Sequence, residues 1–148
     1  AASLVAQHYI VRTSWVIGDG KNFVNTMLEL GRKGIAPKVV NDQIGRLTFT
    51  DTLAAAIDHL LADCPFGTYN VTNEGEPVSW ADITTEIFRL SGYDQPVTGI
   101  PATAYFADNP TAAPRPLHST LDLTKLQATG FKNQDWRSAL QSYIHEEA

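Results

Sequence analysis

A single cysteine, Cys64, occurs in 148 residues. That excludes a disulfide framework within the chain and fits a reducing compartment, so a cytoplasmic location is expected. Basic residues are few, 11 against 16 acidic, for a formal net charge of -5. They form no stripe, so nucleic acid is not an expected partner. No apolar run approaches the length of a membrane span and no signal-peptide pattern opens the chain, so a membrane is not expected either. The four histidines (His8, His59, His118, His145) lack metal-ligand spacing, and no metal site is expected. No G-x-G-x-x-G follows a strand and no P-loop occurs. Gly18 and Gly20 make half of a phosphate loop, but Lys21-Asn22-Phe23 supplies no third glycine. No bound cofactor is expected on these residues alone.

What is there reads as one soluble α/β domain, with strands alternating with helices. Residues 1–7 (AASLVAQ) are rich in helix formers and lack a cap, as at the tail of a helix. Residues 8–16 (HYIVRTSWV) are β-rich and predict a largely buried strand. Phe23, Met27 and Leu30 recur at helical spacing, and a second short strand follows over residues 38–40. Leu53, Ile57, Leu60 and Leu61 predict the apolar face of a helix that Pro65 and Gly67 end. A third strand is expected over residues 68–71. Ser79 with Asp82 forms a capping box opening a helix that Ser91-Gly92 closes. Residues 96–116 hold five prolines and little periodicity, which predicts irregular structure. Asp122 is expected to cap a helix from Leu123 to Thr129, with Gly130 as its stop. Trp136, Ala139, Leu140, Tyr143 and Ile144 give the last helix its apolar stripe.

Polar side chains gather where strands give way to loops: Thr13, Ser14 and Trp15 at one, Asn41, Asp42 and Gln43 at the next. Ligands of open α/β sheets bind outside the carboxyl ends of strands. Short side chains there can hydrogen-bond a sugar or a base. Trp15 can stack on a sugar face and offer its indole N–H, or it can be a plain core residue.

The segments YIVRTSWVIGDGKNFVNTML, VVNDQIGRLT, GTYNVTNEGEPVSWADIT and RPLHSTLDLTKL resemble, in that order, the dTDP-4-dehydrorhamnose reductase family of extended short-chain dehydrogenase/reductases. Leu47 stands where a proline is usual in that family, Ile17 where an aromatic is common, and His118 where Asn is usual. The resemblance implies an α/β fold and the C-terminal, sugar-nucleotide-binding portion of such an enzyme, lacking most of the Rossmann half. On this reading residues 1–16 are the end of a catalytic helix and the strand after it, and residues 17–148 bind the substrate. The family's catalytic Tyr-x-x-x-Lys is missing: none of the five tyrosines has a lysine four residues later. The implied substrate contacts are Thr13, Ser14, Trp15, Asn22, Phe23, Asn41, Gln43 and Arg115, with Asp42 the weaker candidate beside a diphosphate. Arg115, between Pro114 and Pro116, would grip the diphosphate; its alternative is a surface pairing with Asp108 or Asp122.

The function implied is part of an NAD(P)H-dependent reduction of a nucleotide-linked 4-keto-6-deoxyhexose, with NADP(H) or NAD(H) bound by the whole protein and the chain inactive alone. The alternatives are a sugar-nucleotide epimerase or dehydratase of the same fold, and a non-catalytic regulatory subunit. Expected partners are a nucleotide-diphosphate sugar, the upstream Rossmann half, and a second copy of the chain, because the strand at residues 9–16 would be left with an apolar edge or face.

Overall fold

A computed structural model describes residues 4–147. The first strand, β1 (Tyr9–Arg12), is shorter than its sequence suggests; the chain leaves it, turns, and resumes as β2 (Val16–Ile17). The break is at Trp15, which has φ 49°. This left-handed conformation costs an L-residue roughly 1–2 kcal/mol. Two hydrogen bonds from one residue hold it: Thr48 Oγ1 donates to the Ser14 carbonyl (2.6 Å) and the Thr48 amide donates to the Trp15 carbonyl (3.0 Å). Of the expected N-terminal helix tail, residues 1–3 lie outside the described residues, and residues 5–7 are not helical.

Helix α1 (Phe23–Arg32) starts where Asn22 accepts a hydrogen bond from the Asn25 amide, an ordinary N-cap. Then come β3 (Lys38–Val40), β4 (Ile44–Gly45), β5 (Thr48–Phe49) and α2 (Thr50–Asp63). The face of α2 differs from the predicted one. Thr52, Ala56 and Leu60, four residues apart, are buried, whereas Ile57 is 39% and Leu61 65% exposed. Ala56 is small enough to let the helix lie close to the strand β6 (Gly67–Asn70), and Leu60 packs there with Tyr69, Val71 and Leu126.

After β7 (Val78–Ser79), helix α3 (Trp80–Ser91) opens with the predicted capping box: Ser79 Oγ accepts from the Asp82 amide while Asp82 accepts from the Ser79 amide. Gly92, at φ 70°, closes it with a left-handed cap. The expected irregular segment is instead a strand and a helix, β8 (Thr98–Ile100) and α4 (Ala102–Asp108). Their cause is distant in sequence. β8 exists because it pairs in parallel with β3, and α4 starts where the Asp42 carboxylate accepts the Ala102 amide (2.9 Å). Helix α5 (Thr124–Gln127) is shorter than predicted, although Asp122 does accept the Thr124 amide (2.7 Å). Helix α6 (Trp136–Glu147) carries the predicted stripe.

The strands pair as β1–β6, β2–β5 and β3–β8, all parallel, and β4–β7, antiparallel. A main core joins α1, α3 and α6 over β5, with Ile83, Ile87, Leu140 and Trp136 at or near zero exposure. Burying each aliphatic side chain of this kind contributes about 1.5–3 kcal/mol. The Trp136 indole N–H donates to the Glu76 carbonyl (2.9 Å), so its one polar atom is satisfied. Asn73, fully buried, ties the layers: it accepts the Phe49 amide and donates to Thr52 Oγ1 and the Gln134 carbonyl.

Candidate functional site

Three segments that are distant in sequence meet beside β4. The Ile44 amide donates to the Leu117 carbonyl (2.7 Å), and the Ser119 amide donates back to the Ile44 carbonyl (2.8 Å). Ser14 Oγ donates to the Ser119 carbonyl (3.1 Å). Residues 13–15, 41–43 and 115–119 thus lie on one side of the molecule, at the ends of β1, β3 and the segment bridged to β4. Arg46 holds the outer end of this arrangement: its guanidinium donates to the Leu121 carbonyl (2.7 Å). Burial pushes its pKa down, with Glu74 and Asp122 opposing that shift.

Next to this junction lies an aromatic row. Trp15 stacks on Trp80 with ring centroids 3.9 Å apart and planes at 23°, and Phe23 lies against the same indole at 4.4 Å, tilted by 48°. Gly45 makes the row possible. A Cβ there would come within 2.9 Å of two Trp15 ring carbons, so the glycine after Gln43-Ile44 permits a close approach of backbone to ring.

Trp80 and Phe23 form one wall of a cavity of about 530 Å³. Its other walls come from Met27 of α1, from β3, from Tyr105 and Phe106 of α4, and from Ala112, Ala113 and Arg115. Lys38 and Arg115 are its charged lining residues, and no carboxylate lines it. Neither Asp108 nor Asp122 pairs with Arg115, which has no ion pair among the described residues. The Asp122 carboxyl is held below its ordinary range by its hydrogen bonds to Thr124, with Arg46 adding a smaller pull.

The eight residues expected from sequence fall into distinct places. Phe23, Gln43 and Arg115 line the cavity. Trp15 stands behind Trp80, Ser14 ties two loops, and Thr13 is exposed at the end of β1. Asn41 is exposed beside β8, its side chain against Gly99, with its amide donating to the Ile100 carbonyl (2.9 Å). Asn22 is engaged within the protein. Besides capping α1 it donates to the Gly18 carbonyl and to the Tyr143 hydroxyl. Trp80, Lys38 and Thr26 carried no site signal in the sequence, and Tyr105 and Phe106 lie in the stretch expected to be irregular. Trp80 packs against the main core and lines the cavity at the same time.

The turn at residues 18–20 does not fit a dinucleotide phosphate. Asn22 and Asn25 donate to the Gly20 carbonyl, so the turn closes α1 upon itself. No group of acidic, histidine or cysteine side chains suited to a metal ion occurs among the described residues. No helix there is long and apolar enough to cross a membrane.

Residues 2–148 match the family model described as the RmlD substrate binding domain. A spore coat polysaccharide biosynthesis protein, SpsK of Bacillus subtilis, is 39% identical over 93% of the chain and 47% of its own length. A dTDP-4-dehydrorhamnose reductase of Aggregatibacter actinomycetemcomitans is 37% identical over 95% of the chain and 51% of its own length. The crystal structure of the Bacillus anthracis dTDP-4-dehydrorhamnose reductase in complex with NADP superimposes with a TM-score of 0.86 at 33% identity, over 97% of the chain and 50% of that protein. The chain spans about half the length of the curated relatives it matches.

Proposed function

Because this chain belongs to the RmlD substrate binding domain family, we propose that it is the sugar-nucleotide-binding part of an NAD(P)H-dependent dTDP-4-dehydrorhamnose reductase. The observation that carries the reading is the cavity: aromatic walls, two cations and no carboxylate, with Phe23, Gln43, Trp80 and Arg115 coming from the four family-like segments. Aromatic faces suit a base or sugar ring, and a planar guanidinium suits two phosphate oxygens. Lys38 adds a second point charge. Phe23, Gln43 and Arg115 are the direct contacts in this proposal. Trp15, Ser14 and Asn22 position them, by stacking behind Trp80, tying residue 119 to the first strand and fixing the start of α1. Thr13 and Asn41, exposed at strand ends, would meet the sugar end of the ligand.

The reduction itself belongs to a nicotinamide cofactor and a proton donor that the described residues of this chain do not supply, so the chain is expected to be inactive alone. Its role is to hold the keto carbon in line for that chemistry. Val16, Ile57, Leu61 and Phe66 are apolar and exposed. In this reading they meet the Rossmann half, and without it the chain self-associates. A nucleotide-sugar substrate places the protein in the cytoplasm, where Cys64 stays a thiol.

Calorimetric titration of the chain with dTDP tests the proposal. Saturable binding that weakens with added salt is expected; absence of heat up to millimolar dTDP would overturn it.

A further inference from the structure

Gln43 is 5% exposed and lines the cavity, yet its carboxamide makes no hydrogen bond to the described residues. Its amide atoms are not among the fully buried, unpartnered ones, so the carboxamide opens onto the cavity with its donor and acceptor free for a ligand. Its neighbours show what a loop amide does when its role is structural. Asp42 caps α4, and the Asn41 backbone joins β8. Gln43 has neither role. Thr26, another polar residue on the cavity wall, is already engaged, its hydroxyl donating to the Asn22 carbonyl (2.8 Å).

We propose that Gln43 is the specificity-determining residue of the cavity, its carboxamide pairing with the edge of a pyrimidine ring that presents an N–H beside a carbonyl. This rests on the nucleotide-binding reading above and adds what that reading leaves open. A carboxamide holds an acceptor and a donor side by side in one plane. The imide edge of thymine or uracil offers the complementary donor and acceptor, and both bonds form together only when ring and amide are coplanar. Phe23 and Trp80 supply flat apolar surfaces along which a ring can lie, and Lys38 and Arg115 lie on the same cavity to receive the diphosphate attached to it. A sugar hydroxyl would use one half of the amide at a time. The ring edge uses both.

The test titrates the chain and its Gln43→Met variant with dTDP and with N3-methylthymidine 5′-diphosphate, in which the ring N–H is blocked. The unaltered chain is expected to bind the methylated ligand about ten- to a hundredfold more weakly, the discrimination of a bidentate edge contact. Gln43→Met keeps the volume and removes the amide. It is expected to bind dTDP weakly and to distinguish the two ligands by less than about threefold. Gln43→Glu, nearly isosteric but without the donor, is expected to lose dTDP affinity likewise and serves if the Met variant does not fold. Equal affinities of the unaltered chain for both ligands would overturn the inference. So would full discrimination retained in a folded variant, which would make the methyl effect steric. If the unaltered chain binds neither ligand, the nucleotide-binding reading falls and this inference falls with it. If dTDP binds and Gln43 is indifferent, only the inference falls.

Discussion

Trp15 and Trp80 stack with centroids 3.9 Å apart, although 65 positions separate them and Trp15 reaches its partner only from a left-handed backbone at φ 49°. The pair links the end of the first strand to the start of α3. The strain at Trp15 is held by Thr48 and offset by ring stacking of about 0.5–1.5 kcal/mol beyond the area buried. The usual preference for Ala over Gly is therefore expected to invert here. Trp15→Ala and Trp15→Gly both lose the stack, but Gly relieves the backbone, so it is expected to be the more stable by about 1 kcal/mol. Urea denaturation of the two variants measures this; Ala more stable than Gly would show that the turn relaxes once the ring is gone.

Arg115 is exposed, flanked by Pro114 and Pro116, and without an ion pair among the described residues. If it grips a diphosphate, Arg115→Lys is expected to weaken dTDP binding by about 1.5–3 kcal/mol, the range for hydrogen bonds to charged groups. The melting temperature is expected to stay unchanged. Calorimetry on both proteins decides, and equal dTDP affinities would return Arg115 to the solvated surface.

Asp42 is the cap of α4, since the helix has no side-chain cap of its own and Pro101 stands at its start. Asp42→Ala is expected to cost about 1 kcal/mol, the usual value for losing an N-cap contact. Because α4 carries Tyr105 and Phe106 into the cavity, dTDP affinity is expected to fall as well. Asp42→Asn retains an acceptor and is expected to restore most of both. A variant that loses stability but keeps full affinity would separate α4 from the ligand.

Two carboxyls make stability depend on pH in a defined direction. Hydrogen bonds from Arg89 hold Glu86 below its ordinary 4.5, and hydrogen bonds from Thr124 hold Asp122 below its ordinary 3.8. Both pKa values are lower in the folded state, so the unfolded chain binds more protons as the medium is acidified. Their stabilisation is fully present above the unfolded values and is lost as pH falls through the depressed folded ones. Melting temperature is expected to decline from about pH 4.5 downward. Glu86→Gln is expected to make that decline shallower, and an unchanged slope would remove Glu86 from the account. The ion pair with Arg89 is largely solvent-screened, so the effect is small.

Local chemistry alone was enough for the elements whose causes lie within a few residues. The Ser79–Asp82 box and Gly92 bound α3, and the stripe from Trp136 to Ile144 orients α6. Of the residues that the motifs singled out, Phe23, Gln43 and Arg115 line the candidate cavity. Tertiary pairing decided the rest. β8 and α4 lie in a proline-rich stretch with no periodicity, and they form because β3 offers a strand edge and Asp42 a carboxylate. The face of α2 was misread because the small Ala56 and the polar Thr52, not Ile57 and Leu61, are buried with Leu60, a choice made by the neighbours that pack there. The left-handed turn at Trp15 depends on hydrogen bonds from Thr48, 33 positions away, and on a glycine at 45 that leaves room for the ring. The sequence by itself determined which segments could be helix or strand and which residues were polar enough to bind. Which of those residues share one cavity was decided only when the chain folded, because Gln43, Trp80, Tyr105 and Arg115 meet through pairings between strands and loops that no local periodicity records.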